Sequence, residues 1–178
     1  MTREEIDLYE IIQSYPNFPK QGILFRDINP VFRNNDAMNF VCSEIYERFK
    51  NIKIDCIAGI ESRGFVLSSI VAMKLGKGMI MIRKAGKLPG ETIGKSYSIE
   101  YGNAIMEIQK NSIERGQNVL IADDLIATGG TAMAAAYLIE ELGGIVAGFA
   151  FVVELADLNG GTILRNKGYK VHSLVVYN

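Results

Sequence analysis

The stretch Val119-Leu120-Ile121-Ala122-Asp123-Asp124-Leu125-Ile126-Ala127-Thr128-Gly129-Gly130-Thr131 changes character twice. It opens as a short apolar run, passes through two adjacent acids, and ends in small residues that lead into the amphipathic segment 131–142. An apolar run of this length bounded by turn residues reads as a buried strand, and the segment after it as a helix. Outward from it the same alternation repeats. Residues 54–60, 79–83, 145–153 and 171–176 read as strands, and 65–75 and 158–167 as helices. Continuous apolar strands separated by helices predict an α/β fold with a mainly parallel sheet covered by helices on both faces. In such sheets ligands bind beyond the carboxyl ends of the strands, where the quoted stretch carries its polar groups.

The small residues Ala127, Thr128, Gly129, Gly130 and Thr131 leave several backbone N–H groups free to converge on one anion. Glycine tolerates the required dihedrals, and the helix that follows presents its positive end and two threonine hydroxyls. A phosphate monoester suits that cradle. Asp123 and Asp124 stand just before it as acceptors for sugar hydroxyls or, through them, for Mg2+. A plain helix cap after a buried strand is the simpler reading, but two adjacent acids are a costly strand ending without partners.

Towards the N-terminus, Thr2 and Glu5 have capping-box spacing and Ile6, Tyr9 and Ile12 recur at helical spacing, which predicts a first helix ending near Ser14. Residues 15–22 hold two prolines and a glycine and are expected to lack regular structure. They lead into an extended, aromatic-rich segment up to Pro30. Asp36 is the expected cap of a helix whose apolar stripe is Met38, Val41, Ile45 and Phe49. Between Lys84 and Asn103 the pattern lapses into Gly, Pro, Ser and charges, as in a long loop or a hairpin.

Composition excludes more than it names. The chain has 178 residues, 48% of them hydrophobic, and 19 Lys+Arg against 20 Asp+Glu for a formal charge of −1. That length and core content suit one domain, and the balanced charge argues against coating nucleic acid or an anionic membrane. No run approaches the roughly 18 apolar residues of a spanning helix, and residues 1–6 lack a secretory apolar region, so a cytoplasmic protein is expected. Cys42 and Cys56 read as small buried side chains kept reduced; with His172 they cannot make a zinc site or a nucleophile pair. Chemistry must come from carboxylates, backbone amides and Lys/Arg. A Walker-like string, Gly90-Glu91-Thr92-Ile93-Gly94-Lys95-Ser96, has three residues between its glycines where a P-loop needs four, and it follows no apolar strand.

The acid pair and its loop closely resemble the phosphoribosyl-pyrophosphate (PRPP) signature of the type I phosphoribosyltransferases. Resemblance to the adenine-using branch of that family extends over nearly the whole chain. It is carried by Tyr15-Pro16-Asn17-Phe18-Pro19 with Gly22-Ile23-Leu24-Phe25-Arg26-Asp27-Ile28, by Glu61-Ser62-Arg63-Gly64-Phe65, and by Arg83-Lys84-Ala85-Gly86-Lys87-Leu88-Pro89-Gly90-Glu91-Thr92. Ser96-Tyr97-Ser98-Ile99-Glu100-Tyr101-Gly102 and Val153-Glu154-Leu155 complete it. The resemblance implies a type I phosphoribosyltransferase fold in one domain over 1–178, with an N-terminal hood at about 1–35 and a flexible loop at about 84–103. It implies conversion of adenine and PRPP to AMP and pyrophosphate, with Mg2+ brought by PRPP and no metal held directly, in a purine-salvaging homodimer.

By the same resemblance, residues 127–131 grip the 5′-phosphate and Asp123 and Asp124 the ribose hydroxyls. Arg63 takes the pyrophosphate together with Arg83, Lys84 and Lys87, the last three in a segment 74–95 that has six basic residues against the single acid Glu91. Lys74, Lys77 and Lys95 of that segment are expected to be solvated loop charges. Glu100 is implied as the general acid/base at the purine imidazole, with Tyr101 closing over it. Phe25 stacks on the base opposite Leu155, and the backbone of Arg26 reads its edge. Adenine offers an acceptor and a donor there, and hypoxanthine reverses them. Two rivals have their own marks: a family member using another base would differ at Phe25-Arg26, and a PRPP-sensing regulator would carry an effector segment.

Overall fold

The computed structural model describes residues 6–99 and 102–178. Its elements are α1 (Leu8–Ile11), β1 (Gln13–Pro16), β2 (Leu24–Asp27), α2 (Asn29–Arg33), α3 (Asn35–Phe49), β3 (Cys56–Ile60), α4 (Gly64–Leu75) and β4 (Gly78–Lys84). They continue with β5 (Thr92–Ile99), β6 (Gly102–Gln109), β7 (Asn118–Ile126), α5 (Gly130–Glu141), β8 (Ile145–Leu155), a 3-10 turn (Ala156–Leu158), α6 (Gly160–Asn166) and β9 (Val171–Tyr177). The main sheet has seven strands in the order β5-β6-β4-β3-β7-β8-β9. From β4 to β9 all pairings are parallel, while β6 runs antiparallel to β4 and β5 antiparallel to β6.

The apolar runs are continuous because both faces of the sheet are covered. Along β7, Leu120 and Ala122 enter a core shared with α3 and α4, while Val119 and Ile121 enter a second core shared with α5. Successive strand side chains alternate between faces, so only an unbroken apolar run fills both cores. Helix α5 supplies alanines, Ala132 and Ala134 to Ala136 among them, which let it lie close to the sheet.

The chain departs from the sequence expectations in five places. The first helix is one turn, capped by Asp7 whose Oδ1 accepts from the Tyr9 amide at 2.8 Å, because Gln13 to Pro16 leave it to pair with β2. The Thr2 and Glu5 capping box lies outside the described residues. Tyr15 and Pro16, expected to be irregular, form the end of β1, where an edge position needs no proline N–H. Helix α3 is capped by Asn34 rather than Asp36: the Asn34 carboxamide accepts from the amides of Asp36 and Ala37 at 2.9 and 3.1 Å. Leu158 belongs to the 3-10 turn, and the helix begins at Gly160 after the left-handed Asn159.

The fifth departure shapes the site. Strand β7 does not stop at Ala122 but runs through both acids to Ile126. Beside it β3 ends its pairing at Gly59 opposite Ala122, whereas β8 continues opposite Asp123, Leu125 and Ile126. Past Ala122 one edge of β7 is therefore free, and a cleft opens there. It lies between β3, whose next strand is on one side, and β7, whose next strand is on the other, the position where open α/β sheets bind ligands. The segment from 84 onward is a hairpin, β5 and β6, joined to the sheet by Arg83 opposite Glu107.

Cys42 and Cys56 are buried and free, with their thiols pushed up by burial. No helix among the described residues is long and apolar enough to cross a membrane.

Candidate functional site

A cavity of about 570 Å³ lies at the open edge of β7. Residues 127–131 form one wall, Asp123 and Asp124 its floor, and Ser62, Arg63 and Lys84 the opposite side. Gly129 has φ +82 and precedes α5 with no side chain capping the helix, so the first-turn amides of α5 face the cavity without a side-chain acceptor.

The acid pair is locked by its neighbours. A Cβ on Gly64 would come within 2.6 Å of Asp123 Oδ1, so only glycine lets the start of α4 press against this carboxylate. Asp123 Oδ1 also accepts from the Asp124 amide at 2.9 Å. Burial and then the neighbouring Asp124 charge push the Asp123 carboxyl well above its usual range, against the opposing pull of Arg63. Arg63 Nε stands 2.7 Å from Asp124 Oδ2, yet the pairing is ionic rather than hydrogen-bonded. That buried oxygen has no hydrogen-bond donor among the described residues. Two crowded carboxylates with an unmet acceptor suit a ligand that brings hydroxyl donors or a cation.

The cationic segment is organised by a residue that the sequence reading passed over. Glu61 follows β3 directly with a nearly buried side chain and receives Arg83 Nε at 3.2 Å, the Lys84 amide at 3.1 Å and the Lys87 ammonium in a very close ion pair. Burial pushes the Glu61 carboxyl up, but Lys87, the Lys84 amide and Arg83 together outweigh it and hold it below its usual range. Arg83 Nη1 also donates to the Lys87 carbonyl at 3.1 Å. An acid closing an apolar strand ahead of a cation-rich segment was the available signal. Of the lysines expected to be loop charges, Lys74 lies on α4 near the Tyr46 ring, and Lys95 lies on β5 over Tyr137 at 3.7 Å.

Phe25 and Arg26 reach the same region from β2. The Arg63 guanidinium lies 5.7 Å from the Phe25 ring centroid, so one arginine touches both the aromatic side and the acid pair. The Arg26 side chain is engaged elsewhere, 3.8 Å over Tyr177 and hydrogen-bonded to Ser14 Oγ at 2.5 Å. Leu155 lies beside Tyr177 in the β8–β9 register, which brings it near Arg26. Thus Arg63, Lys84, Asp123, Asp124 and 127–131 share one cavity, with Arg83 and Lys87 tied to its Glu61 wall. Tyr97 and Met106 also line it. Glu100 and Tyr101 lie outside the described residues.

A parallel sheet with a glycine-bearing loop and an acid pair at its switch point defines a class, and residues 33–176 match the family model described as phosphoribosyl transferase domain. The chain belongs to the phosphoribosyltransferase family, with the type I fold. It is 55% identical to the adenine phosphoribosyltransferase of Nitrosopumilus maritimus, over 97% of this chain and all of that protein. It is 52% identical to that of Cenarchaeum symbiosum over the same shares. Among solved structures, the adenine phosphoribosyltransferase of Thermoanaerobacter pseudethanolicus superposes with a TM-score of 0.90 at 42% identity, covering 95% of this chain and 97% of that one. The Saccharomyces cerevisiae enzyme, complexed with an imino-altritol bisphosphate and adenine, does so with 0.87 at 44% identity, over 94% and 96%.

Proposed function

We propose that this chain is a purine-salvage pentosyltransferase that joins adenine to the ribosyl carbon of PRPP, giving AMP and pyrophosphate. The observation that carries it is the acid pair and the uncapped start of α5 in one cavity with the Glu61-bound cations, in a chain 55% identical to an adenine phosphoribosyltransferase.

In this reading the backbone of Ala127 to Gly130 and the hydroxyls of Thr128 and Thr131 hold the 5′-phosphate. Asp123 and Asp124 accept from the ribose hydroxyls. Arg63, Arg83, Lys84 and Lys87 surround the pyrophosphate. N9 of adenine attacks C1′ as the C1′–oxygen bond breaks, and the bond pair leaves on pyrophosphate, where fixed cations stabilise the growing charge. Glu100 takes the imidazole proton, and Tyr101 excludes water from the oxocarbenium-like centre. Phe25 and Leu155 sandwich the base while the Arg26 backbone reads it. That division suits an Arg26 whose side chain is already committed to Tyr177 and Ser14.

Mg2+ fits as part of the substrate. Mg2+ commonly binds through one or two carboxylates plus substrate phosphates. Asp123 and Asp124 would face it through the ribose hydroxyls, and it would neutralise charge on the pyrophosphate. The two-stranded sheet of β1 and β2 serves as the hood and the β5–β6 hairpin as the closing loop of a single 1–178 domain. We place the enzyme in the cytoplasm as a homodimer; exposed Val66, Met73, Met81 and Ile105 offer apolar area to a second copy.

The test is nucleotide formation from PRPP, Mg2+ and each free base in turn. AMP from adenine at the highest kcat/KM is expected. Faster turnover of hypoxanthine, guanine or a pyrimidine would sink the assignment.

A further inference from the structure

Glu154 is a buried charged residue at the carboxyl end of the apolar strand β8, and the reading above gives it no role. Its side chain is only 4% exposed. Arg165 Nη1 and Nη2 donate to Glu154 Oε1 and Oε2 at 2.8 and 2.7 Å, and Ser173 Oγ donates to Oε2 at 2.6 Å. The fork ties α6 to β8 and β9. Helix α6 is short and buries a single apolar side chain, Leu164, while Ile163 is exposed. So little packing cannot set its position closely, whereas a planar two-bond fork can.

Both ends of α6 bear on functional ground. At its last turn Arg165 holds Glu154. At its first turn Gly161 lies so near the same carboxylate that a Cβ would stand 2.1 Å from Oε1. Gly160 meets the phosphate cradle itself: its amide donates to the Ala127 carbonyl at 2.9 Å, and a Cβ would fall 2.3 Å from that oxygen and 2.6 Å from the Gly129 amide nitrogen. From the other side a Cβ on Gly129 would come 3.0 Å from Gly160 Cα. Nothing but glycine fits between α6 and residues 127–129.

We propose that Glu154, Arg165 and Ser173 form a positioning device for the 5′-phosphate cradle: the fork fixes α6, and Gly160 transmits that position to Ala127 and Gly129. The inference rests on the phosphate site proposed above. None of the three residues touches the ligand; they act through backbone contact.

Two measurements test it. The first needs no variant. Ribose 5-phosphate added to the wild-type protein should slow amide hydrogen exchange at 127–131 and, in step, at 160–165. Protection of 127–131 with 160–165 unchanged overturns the device. No protection at either overturns the phosphate site and the inference with it. The second replaces the pair, Glu154→Leu with Arg165→Leu, because removing one partner strands a buried charge whereas apolar replacement of both is tolerated. With the melting temperature kept, Kd for ribose 5-phosphate and KM for PRPP should rise about 10- to 100-fold, the scale of small misplacements in a site. Kd for pyrophosphate and KM for adenine should change less than about twofold on that scale. Equal losses for ribose 5-phosphate and pyrophosphate would reduce the network to a stabiliser of the fold.

Discussion

The two halves of the cavity are built on opposite principles. The β7–α5 side holds its ligand groups by packing: Ile126 and Ala132 flank the 127–131 loop from the core, and Gly160 closes it from behind. The β3–β4 side holds its ligand groups by charge. Arg83 and Lys87, partly exposed, turn onto a single carboxylate, Glu61. A backbone cradle needs no counter-charge and is ready before the ligand arrives. On the function proposed above, cations gathered at an acid would be shared with an incoming pyrophosphate, and that side would exchange partners as the ligand binds.

The largest expected effect is on the chemical step rather than on either side's hold on the ligand. Glu100→Ala should lower kcat by about 10²–10⁴-fold, the range of general acid–base catalysis, with PRPP affinity nearly kept. A parallel fall in affinity, read by calorimetry, would place Glu100 in binding instead. Next comes the packed side. Asp123→Asn with Asp124→Asn should raise Kd for PRPP by about 100-fold, since charge-assisted hydrogen bonds are worth roughly 1.5–3 kcal/mol each. Unchanged affinity would remove the acid pair from the ribose.

A substitution in the cradle should be felt even without ligand. Gly129→Ala puts a Cβ at φ +82 against Gly160 and should cost about 1–2 kcal/mol. For a chain of this size that lowers Tm by roughly 2–8 °C. A variant as stable as wild type would mean that the cradle is not held by packing.

The smallest effect is predicted for the charged side and has the opposite sign. Glu61→Gln should release Arg83 and Lys87 and tighten Mg2+-pyrophosphate binding by about threefold to tenfold, the roughly 0.5–1.5 kcal/mol of one ordinary hydrogen bond. Weaker binding would show that Glu61 aligns the cations rather than competing for them. Its folded carboxyl lies below the ordinary 4.5. The stability its ion pairs contribute is therefore present above that value and lost as pH falls through the lower folded one. The wild-type and Gln variants should converge in stability as an acid titration crosses that window.

What could be read in the chain follows the same division. The strand and helix alternation, the loop at 127–131 and the acid pair are local patterns, because burial on both sheet faces and a glycine-lined turn leave their marks on adjacent residues. The missed features are contacts between distant segments. Asn34 outcompetes Asp36 as a cap because α2 delivers it at the right place. Pro16 joins a strand because Leu24 is opposite it. Glu61 stands in its local motif without a visible partner, because its cations lie more than twenty residues on.

The sequence by itself determined the class of sheet, the family and the residue types brought to the ligand, since hydrophobic periodicity and short motifs are properties of neighbouring positions. Only the tertiary structure decided that β7 outlasts β3 and so opens a cleft, that Glu61 gathers the cations, and that α6, paired to β8 through Arg165 and Glu154, meets the loop at Ala127 and Gly129. Strand pairing, close glycine contact and buried ion pairs depend on which segments meet, and that is settled by the packing of the whole core rather than by any stretch within it.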